Sequence, residues 1–201
     1  MHRIGGIILA AGGSTRMGTP KQILAPSGIP MICAAVQAAQ TGGCDVVCVV
    51  TGHARAAVES AAATFHPLFV HNEAWQRGMG SSIRVGLAAL PPVSAVILLA
   101  CDQPAVDATV IRSLIEHHQR TGLPVVASHY AQTLGIPALF AQPCFDELKS
   151  LSDDRGAKSV IHSKPDRVAA LEFPAGALDL DTPEDLHAWH CHKLQNLAPP
   201  C

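Results

Sequence analysis

The stretch Leu9-Ala10-Ala11-Gly12-Gly13-Ser14-Thr15-Arg16-Met17-Gly18-Thr19-Pro20-Lys21 continues the apolar run 4–10 into a glycine turn. The run reads as a buried first strand. Its turn then lies at the C-terminal edge of a sheet, the edge at which open α/β sheets bind ligands. Glycines let a backbone approach an anion closely and offer it several N–H groups. Arg16 and Lys21 add two cations, and the combination suits a polyphosphate. The plain alternative is a Gly-rich surface turn with incidental charges. Two familiar motifs are excluded. Gly13 and Gly18 have the spacing of a P-loop, but Thr19-Pro20 separate Gly18 from Lys21. A dinucleotide fingerprint needs Gly-x-Gly-x-x-Gly opening a helix, and here the glycines are adjacent and Pro20 follows.

Outward from this turn, short apolar runs alternate with helical patterns. Strands are expected at 4–10, 45–51, 68–71, 95–101, 124–129 and 136–141, with helices near 30–41, 54–64, 79–90 and 107–120. Continuously apolar strands separated by helices predict the α/β class, a mostly parallel central sheet with helices on both faces. In the third helix Ile83, Leu87 and Leu90 form the core stripe at i, i+4, i+7, leaving Ser81, Ser82 and Arg84 off it. Beyond 141, helices near 143–150 and 155–163, a strand near 167–172 and a helix from about 183 to 195 are expected as an additional layer. Thr182 is the expected N-cap of that last helix, with Pro183 and Asp185 in its first turn. The chain reads as one domain over 1–195 with a frayed tail at 196–201.

The 201 residues are 48% hydrophobic and 15% charged, a composition that builds a core. Surface scaling buries roughly 70% of the extended chain's surface, so no metal or disulfide staple is needed. A net charge of −2 lacks the cationic field of a phosphate-backbone binder, and 4% aromatic residues give little stacking surface; nucleic acid is not an expected partner. The longest apolar run, Ala95–Cys101, is too short to span a bilayer, and the first strand lacks the flanks of a signal peptide. Neither a membrane partner nor a leader is expected. Seven cysteines without paired CxxC motifs read as reduced thiols in a cytoplasmic protein.

Three further segments carry chemistry. Asp102, in Leu98-Leu99-Ala100-Cys101-Asp102-Gln103-Pro104, ends an apolar strand; it either holds Mg2+, which prefers carboxylate and phosphate oxygens, or forms a turn ahead of Pro104. Asp179 and Asp181 are two apart and share a face in extended chain, so either could complete a metal site, or both belong to a helix cap. Gln76-Arg77-Gly78-Met79-Gly80-Ser81-Ser82 places N–H groups and hydroxyls at a helix start, suited to a nucleotide or to simple capping. Trp75 with Met79, and Cys44 with Cys48, read as packing. His187, His190, Cys191 and His192 read as an exposed helix end rather than a metal site, since no fourth ligand is evident.

The ordered set Leu9-Ala10-Ala11-Gly12…Arg16-Met17-Gly18…Lys21, Cys101-Asp102-Gln103-Pro104, Gly135-Ile136-Pro137-Ala138-Leu139-Phe140 and Asp179-Leu180-Asp181-Thr182-Pro183-Glu184-Asp185 resembles the molybdenum cofactor nucleotidyltransferases, within the wider sugar-nucleotide and cytidylyl transferases. The likeness runs from about residue 4 to 190. It implies a Rossmann-like three-layer fold and CMP transfer from CTP to the terminal phosphate of molybdopterin, with Mg2+ as cofactor and a molybdoenzyme or its chaperone as a further partner. Ala11 resembles the cytidylyl branch, since the guanylyl branch usually has glycine there. The implied roles are these: the Leu9, Ala10, Ala11, Gly12 and Gly13 backbone holds base and phosphates; Arg16 and Lys21 grip the triphosphate. Asp102 binds Mg2+ with Asp181, while Thr51-Gly52-His53 and Gly80-Ser81-Ser82 line the nucleoside pocket. Transfer to another phosphorylated metabolite, or nucleotide binding without turnover, are the competing implications. The family often shows Gly-Asp-x-Gly-Ala-Arg late in the chain, where this chain has Asp153-Asp154-Arg155-Gly156-Ala157-Lys158. Lysine in place of arginine loses bidentate phosphate recognition, which bears on the acceptor.

Overall fold

A computed structural model describes residues 3–189. Seven strands form a single sheet: β1 Ile4–Ala10, β2 Val46–Thr51, β3 Leu68–His71, β4 Ala95–Ala100, β5 Val125–Tyr130, β6 Thr133–Ala141 and β7 Val168–Glu172. The order across it is β3-β2-β1-β4-β6-β5-β7. Only β6 runs against its neighbours, pairing antiparallel with both β4 and β5. The helices are α1 Met31–Gly42, α2 Arg55–Ala62, α3 Met79–Ala89, α4 Ala108–Thr121, α5 Phe145–Lys149 and α6 Lys158–Ser163. A last helix, α7, is described over 183–189. The remainder of the expected final helix, the tail at 196–201, and His190, Cys191 and His192 lie outside the described residues.

Two cores sandwich the sheet. Successive strand residues point to opposite faces: Ile8, Ile97 and Leu99 pack with α1, α2 and α4 residues such as Val36, Val58 and Ile111. Ile7, Val96, Leu98 and Phe140 pack on the other face with Ile83, Leu148 and Ile161 of α3, α5 and α6. Both faces of β4 are covered, which is why its sequence is apolar without alternation. The helix ends follow local chemistry. The Asp107 carboxylate accepts from the Thr109 and Val110 N–H groups to start α4, and Gly122 ends it at φ 68°. Thr182 and Asp185 cap α7 reciprocally, each backbone N–H donating to the other's side chain.

Two expectations need correction. Strand β6 begins at Thr133 rather than 136, because a tight turn joins it to β5 through Ala131 and Gln132 at φ 47° and 60°. Neither residue is glycine or asparagine, so the sequence carries no turn signal there. The segment after 141 is no separate layer: α5 and α6 complete the face begun by α3, and β7 is an edge strand parallel to β5. Ser81 and Ser82 are both 4% exposed, buried although they are off the apolar stripe.

Helix α3 lies close on the sheet because Gly86 has no side chain; a Cβ there would stand 2.6 Å from Ile7 Cγ2 and 2.8 Å from Val50 Cγ2. Gly86→Ala is therefore expected to destabilise by about 1–3 kcal/mol through overpacking, outweighing the ~1 kcal/mol by which alanine favours a helix. Chemical denaturation measures the difference.

Candidate active site

Loops from the C-terminal ends of β1, β3 and β4 meet above the sheet edge and line a cavity of about 330 Å³. The turn after β1 is shaped from within. Gln22, 1% exposed, donates its amide N–H groups to the carbonyls of Ala10 (3.1 Å) and Gly12 (2.8 Å). Its Oε1 accepts from the Ser14 hydroxyl at 3.3 Å, and Ser14 Oγ accepts from the Lys21 N–H at 3.0 Å. These bonds turn the carbonyls inward. The N–H groups of Gly12 and Gly13 donate to no acceptor among the described residues, so both remain available as hydrogen-bond donors.

Lys21 lines the same cavity. Its Nζ donates to Asp102 Oδ2 at 2.5 Å and to Asp181 Oδ1 at 2.6 Å, and Arg16 reaches Asp181 Oδ2 at 2.8 Å. Residues far apart in the chain are thus joined by three charge-assisted bonds. Asp181 arrives through the backbone: the Leu180 N–H donates to the Asp102 carbonyl at 2.9 Å, while the Leu180 side chain buries against Met31 and Trp189. Asp179 and Asp181 flank that buried leucine.

The charges perturb one another. Partial burial disfavours the Lys21 ammonium, but the Asp102 and Asp181 carboxylates more than offset this, and its pKa is raised. The Lys21 hydrogen bond, aided by Arg16, holds Asp181 below the usual carboxylate range. At Asp179 the opposing pull of Lys21 and Gln103 is the smaller effect. Desolvation, then the charges of Asp102 and Asp181, push it up to about 6. An acid whose folded pKa is raised binds its proton more tightly when folded, so stability falls as pH rises from about 4 through 6. Asp179→Asn is expected to match the wild type below about pH 4 and exceed it at pH 7.5. Discounted for exposure, a gain of about 1 kcal/mol corresponds to a rise in Tm of roughly 2–4 °C. Melting curves at the two pH values test it.

Of the expected site residues, Leu9, Ala11, Gly12, Lys21, Ser82 and Asp102 line the cavity. Arg16 and Asp181 sit at its rim, paired with each other. The others act behind the wall. Ala10 is 2% exposed and packs into the α1 side of the core. Gly13 lies under Trp75, whose Cη2 would be 3.1 Å from a Cβ there. Thr51 is fully buried, its hydroxyl 3.4 Å from the Val70 carbonyl. Gly52 gives room to Ala11 and Trp75, and His53 donates its N–H to the Ala11 carbonyl at 3.2 Å. Gly80 is no pocket residue either: its N–H donates to the Asp153 carbonyl at 2.9 Å, and a Cβ would stand 2.1 Å from the Ser152 carbonyl oxygen. Segment 151–155 covers the start of α3, and Asp153 ties it there by ion pairs to Arg84 and Arg77. Ser81 is spent on Asn72 and Gly78.

Sequence reasoning missed Gln22 and Asn72, lone polar residues in no motif. It also assigned Trp75 and Met79 to packing. One side of Trp75 does pack, on Gly13, Gly52 and His53 (ring centroids 5.4 Å apart), but both residues also line the cavity. Among the described residues no three His, Cys, Asp or Glu side chains converge as a metal-binding group, and five cysteines are buried free thiols. No helix among them is long and apolar enough to cross a membrane.

The sequence profile of the MobA-like NTP transferase domain matches residues 6–168. Nicotine blue oxidoreductase of Paenarthrobacter nicotinovorans is 30% identical over 193 residues, covering 90% of this chain and 94% of that protein. Purine catabolism protein PucB of Bacillus subtilis (strain 168) is 28% identical, with 90% and 92% covered. Among solved structures, Rv0371c from Mycobacterium tuberculosis H37Rv superimposes with a TM-score of 0.82 at 32% identity over 93% of this chain and 96% of that one. The same mycobacterial protein in complex with manganese gives a TM-score of 0.78 at 30% identity, with 93% and 97% covered.

Proposed function

The chain belongs to the MobA-like NTP transferase domain family, and from that footing we propose that it transfers CMP from CTP to the terminal phosphate of a molybdopterin-type acceptor, releasing pyrophosphate. The observation that carries this is the junction of Lys21 with Asp102 and Asp181 beside the unspent amides of the glycine turn. An acceptor phosphate oxygen attacks the α-phosphorus; the new P–O bond forms as the bond to the β-phosphate oxygen breaks, and pyrophosphate carries the electron pair away. The nucleophile is already anionic near neutral pH, so no general base is needed. The chain must align two mutually repelling anions and stabilise the charge that develops. The turn amides of Gly12 and Gly13 hold phosphate oxygens. Lys21 and Arg16 neutralise the α-phosphate and the leaving group.

Asp102 and Asp181 are hard oxygen donors, and a pair of carboxylates completed by substrate phosphates fits Mg2+. When bound, the ion would supply positive charge against the negative charge of the phosphates. Lys21 now stands between the same two carboxylates, marking the place as one that holds positive charge. The manganese complex of the mycobacterial relative supports a divalent ion as the class of cofactor. Ala11, buried against Gly52, supports cytidine over guanosine only weakly, since a single methyl is worth about 1–3 kcal/mol. The oxidoreductase name of one relative raises hydride transfer, but the first loop here lacks the Gly-x-Gly-x-x-Gly that seats a dinucleotide.

The test is pyrophosphate release from protein, Mg2+, a panel of nucleoside triphosphates and molybdopterin, alongside sugar and isoprenoid phosphates. Release with CTP and molybdopterin supports the proposal. Release with a different acceptor moves it to that metabolite, and nucleotide binding without release under all conditions would falsify turnover.

A further inference from the structure

Asn72 is 2% exposed and lies outside every motif, yet each hydrogen-bonding group of its side chain is committed. Its Oδ1 accepts from the Ala74 N–H at 3.0 Å, which fixes the orientation of the amide, because a flipped NH2 would meet that N–H donor to donor. Its Nδ2 must then donate to Ser81 Oγ at 2.8 Å and Ser82 Oγ at 3.0 Å. Both hydroxyls are forced into the acceptor role toward Asn72, so each has its own proton left to give. Ser81 gives it to the Gly78 carbonyl at 2.8 Å. The Ser82 proton has no acceptor among the described residues, although Ser82 is 4% exposed and lines the cavity.

The cavity is divided by charge. Lys21 and Asp102 occupy the β4 side; Trp75, Gln76, Met79 and Ser82 line the other, with no ionised group among them. Phosphates belong at the charged side. The aromatic, thioether, amide and hydroxyl groups suit a planar heterocycle with polar edges. We propose that Asn72 is a positioning residue that fixes the Ser82 hydroxyl as a hydrogen-bond donor to a carbonyl oxygen or unprotonated ring nitrogen of the nucleobase. This rests on the nucleotidyl-transfer assignment and adds to it the polarity that the site presents to the base.

The experiment is titration calorimetry with Mg2+ and two probes, CTP and the base-less tripolyphosphate. Ser82→Ala is expected to weaken CTP about tenfold by leaving a base acceptor unpaired, with tripolyphosphate binding unchanged. Ser82→Thr keeps the donor and restores binding. Asn72→Asp is nearly isosteric but only accepts, so both serines turn their protons toward it and Ser82 presents a lone pair to the base. It weakens CTP relative to tripolyphosphate to a similar degree, and adding Ser82→Ala to Asn72→Asp brings no further loss. In steady state the effect falls mainly on KM for CTP. Unchanged CTP affinity in Ser82→Ala, an equal loss for tripolyphosphate, or additive effects in the double variant would each overturn the inference. Wild-type protein that binds CTP no better than tripolyphosphate overturns it as well. Ser82-dependent CTP binding without pyrophosphate release instead refutes the transferase assignment and leaves this one standing.

Discussion

Asp102→Ala is expected to lower pyrophosphate release by about 10³-fold or more, the scale set by removing a group that stabilises transition-state charge. The side chain lies two residues beyond β4, is 22% exposed, and shares Lys21 with Asp181. Its loss therefore does not strand a buried cation, which would cost about 3–5 kcal/mol. Stability should change by only about 1 kcal/mol, as for partly exposed ion pairs. Melting curves taken beside the turnover assay separate the two effects. Asp102→Asn, which keeps the shape and removes the charge, should be nearly as inactive. Full metal-dependent activity in either variant would withdraw Asp102 from the mechanism.

Lys21→Ala should push two measurements in opposite directions. Turnover falls by about 10³-fold, because the developing charge loses its nearest fixed cation. Divalent-ion affinity measured without nucleotide rises, since Asp102 and Asp181 lose the ammonium now bonded to both. Arg16 still pairs with Asp181, but Asp102 loses its ion-pair partner, and the less compensated repulsion between the two carboxylates is a cost that a cation relieves. Mn2+ titration of the nucleotide-free protein should show a gain of about tenfold, or 1.4 kcal/mol. An unchanged affinity would mean that Lys21 does not compete with a metal for these oxygens.

The first of these groups was legible in the chain because chemistry and position coincide there. Lys21 follows a glycine turn after a strand, and Asp102 follows the most apolar run in the sequence. Each signal is local, and the sheet brings both to one edge. The groups behind the wall left no comparable trace. Gln22 and Asn72 act by bonding backbone or hydroxyl atoms that only the folded loops bring within reach. A lone amide residue looks the same whether buried or exposed. Gly80 misled for a related reason: a glycine beside serines at a helix start resembles an anion site, yet here it makes room for the backbone at Ser152. Trp75 misled because an aromatic side chain has two faces and can pack with one while lining a cavity with the other.

Apolar period and turn chemistry within each segment, which act over a few residues, were enough to determine the α/β class, most strand and helix positions, and the cap at Thr182 and Asp185. Tertiary structure decided what depends on pairing across the sheet. It set β6 antiparallel between β4 and β5, laid segment 151–155 over the start of α3, and brought Asp181 to Lys21 through the Leu180–Asp102 bond. The physical reason is range: periodicity and capping are written in neighbouring residues, whereas the direction of a hydroxyl proton or the counter-charge of a lysine depends on atoms supplied from distant parts of the chain.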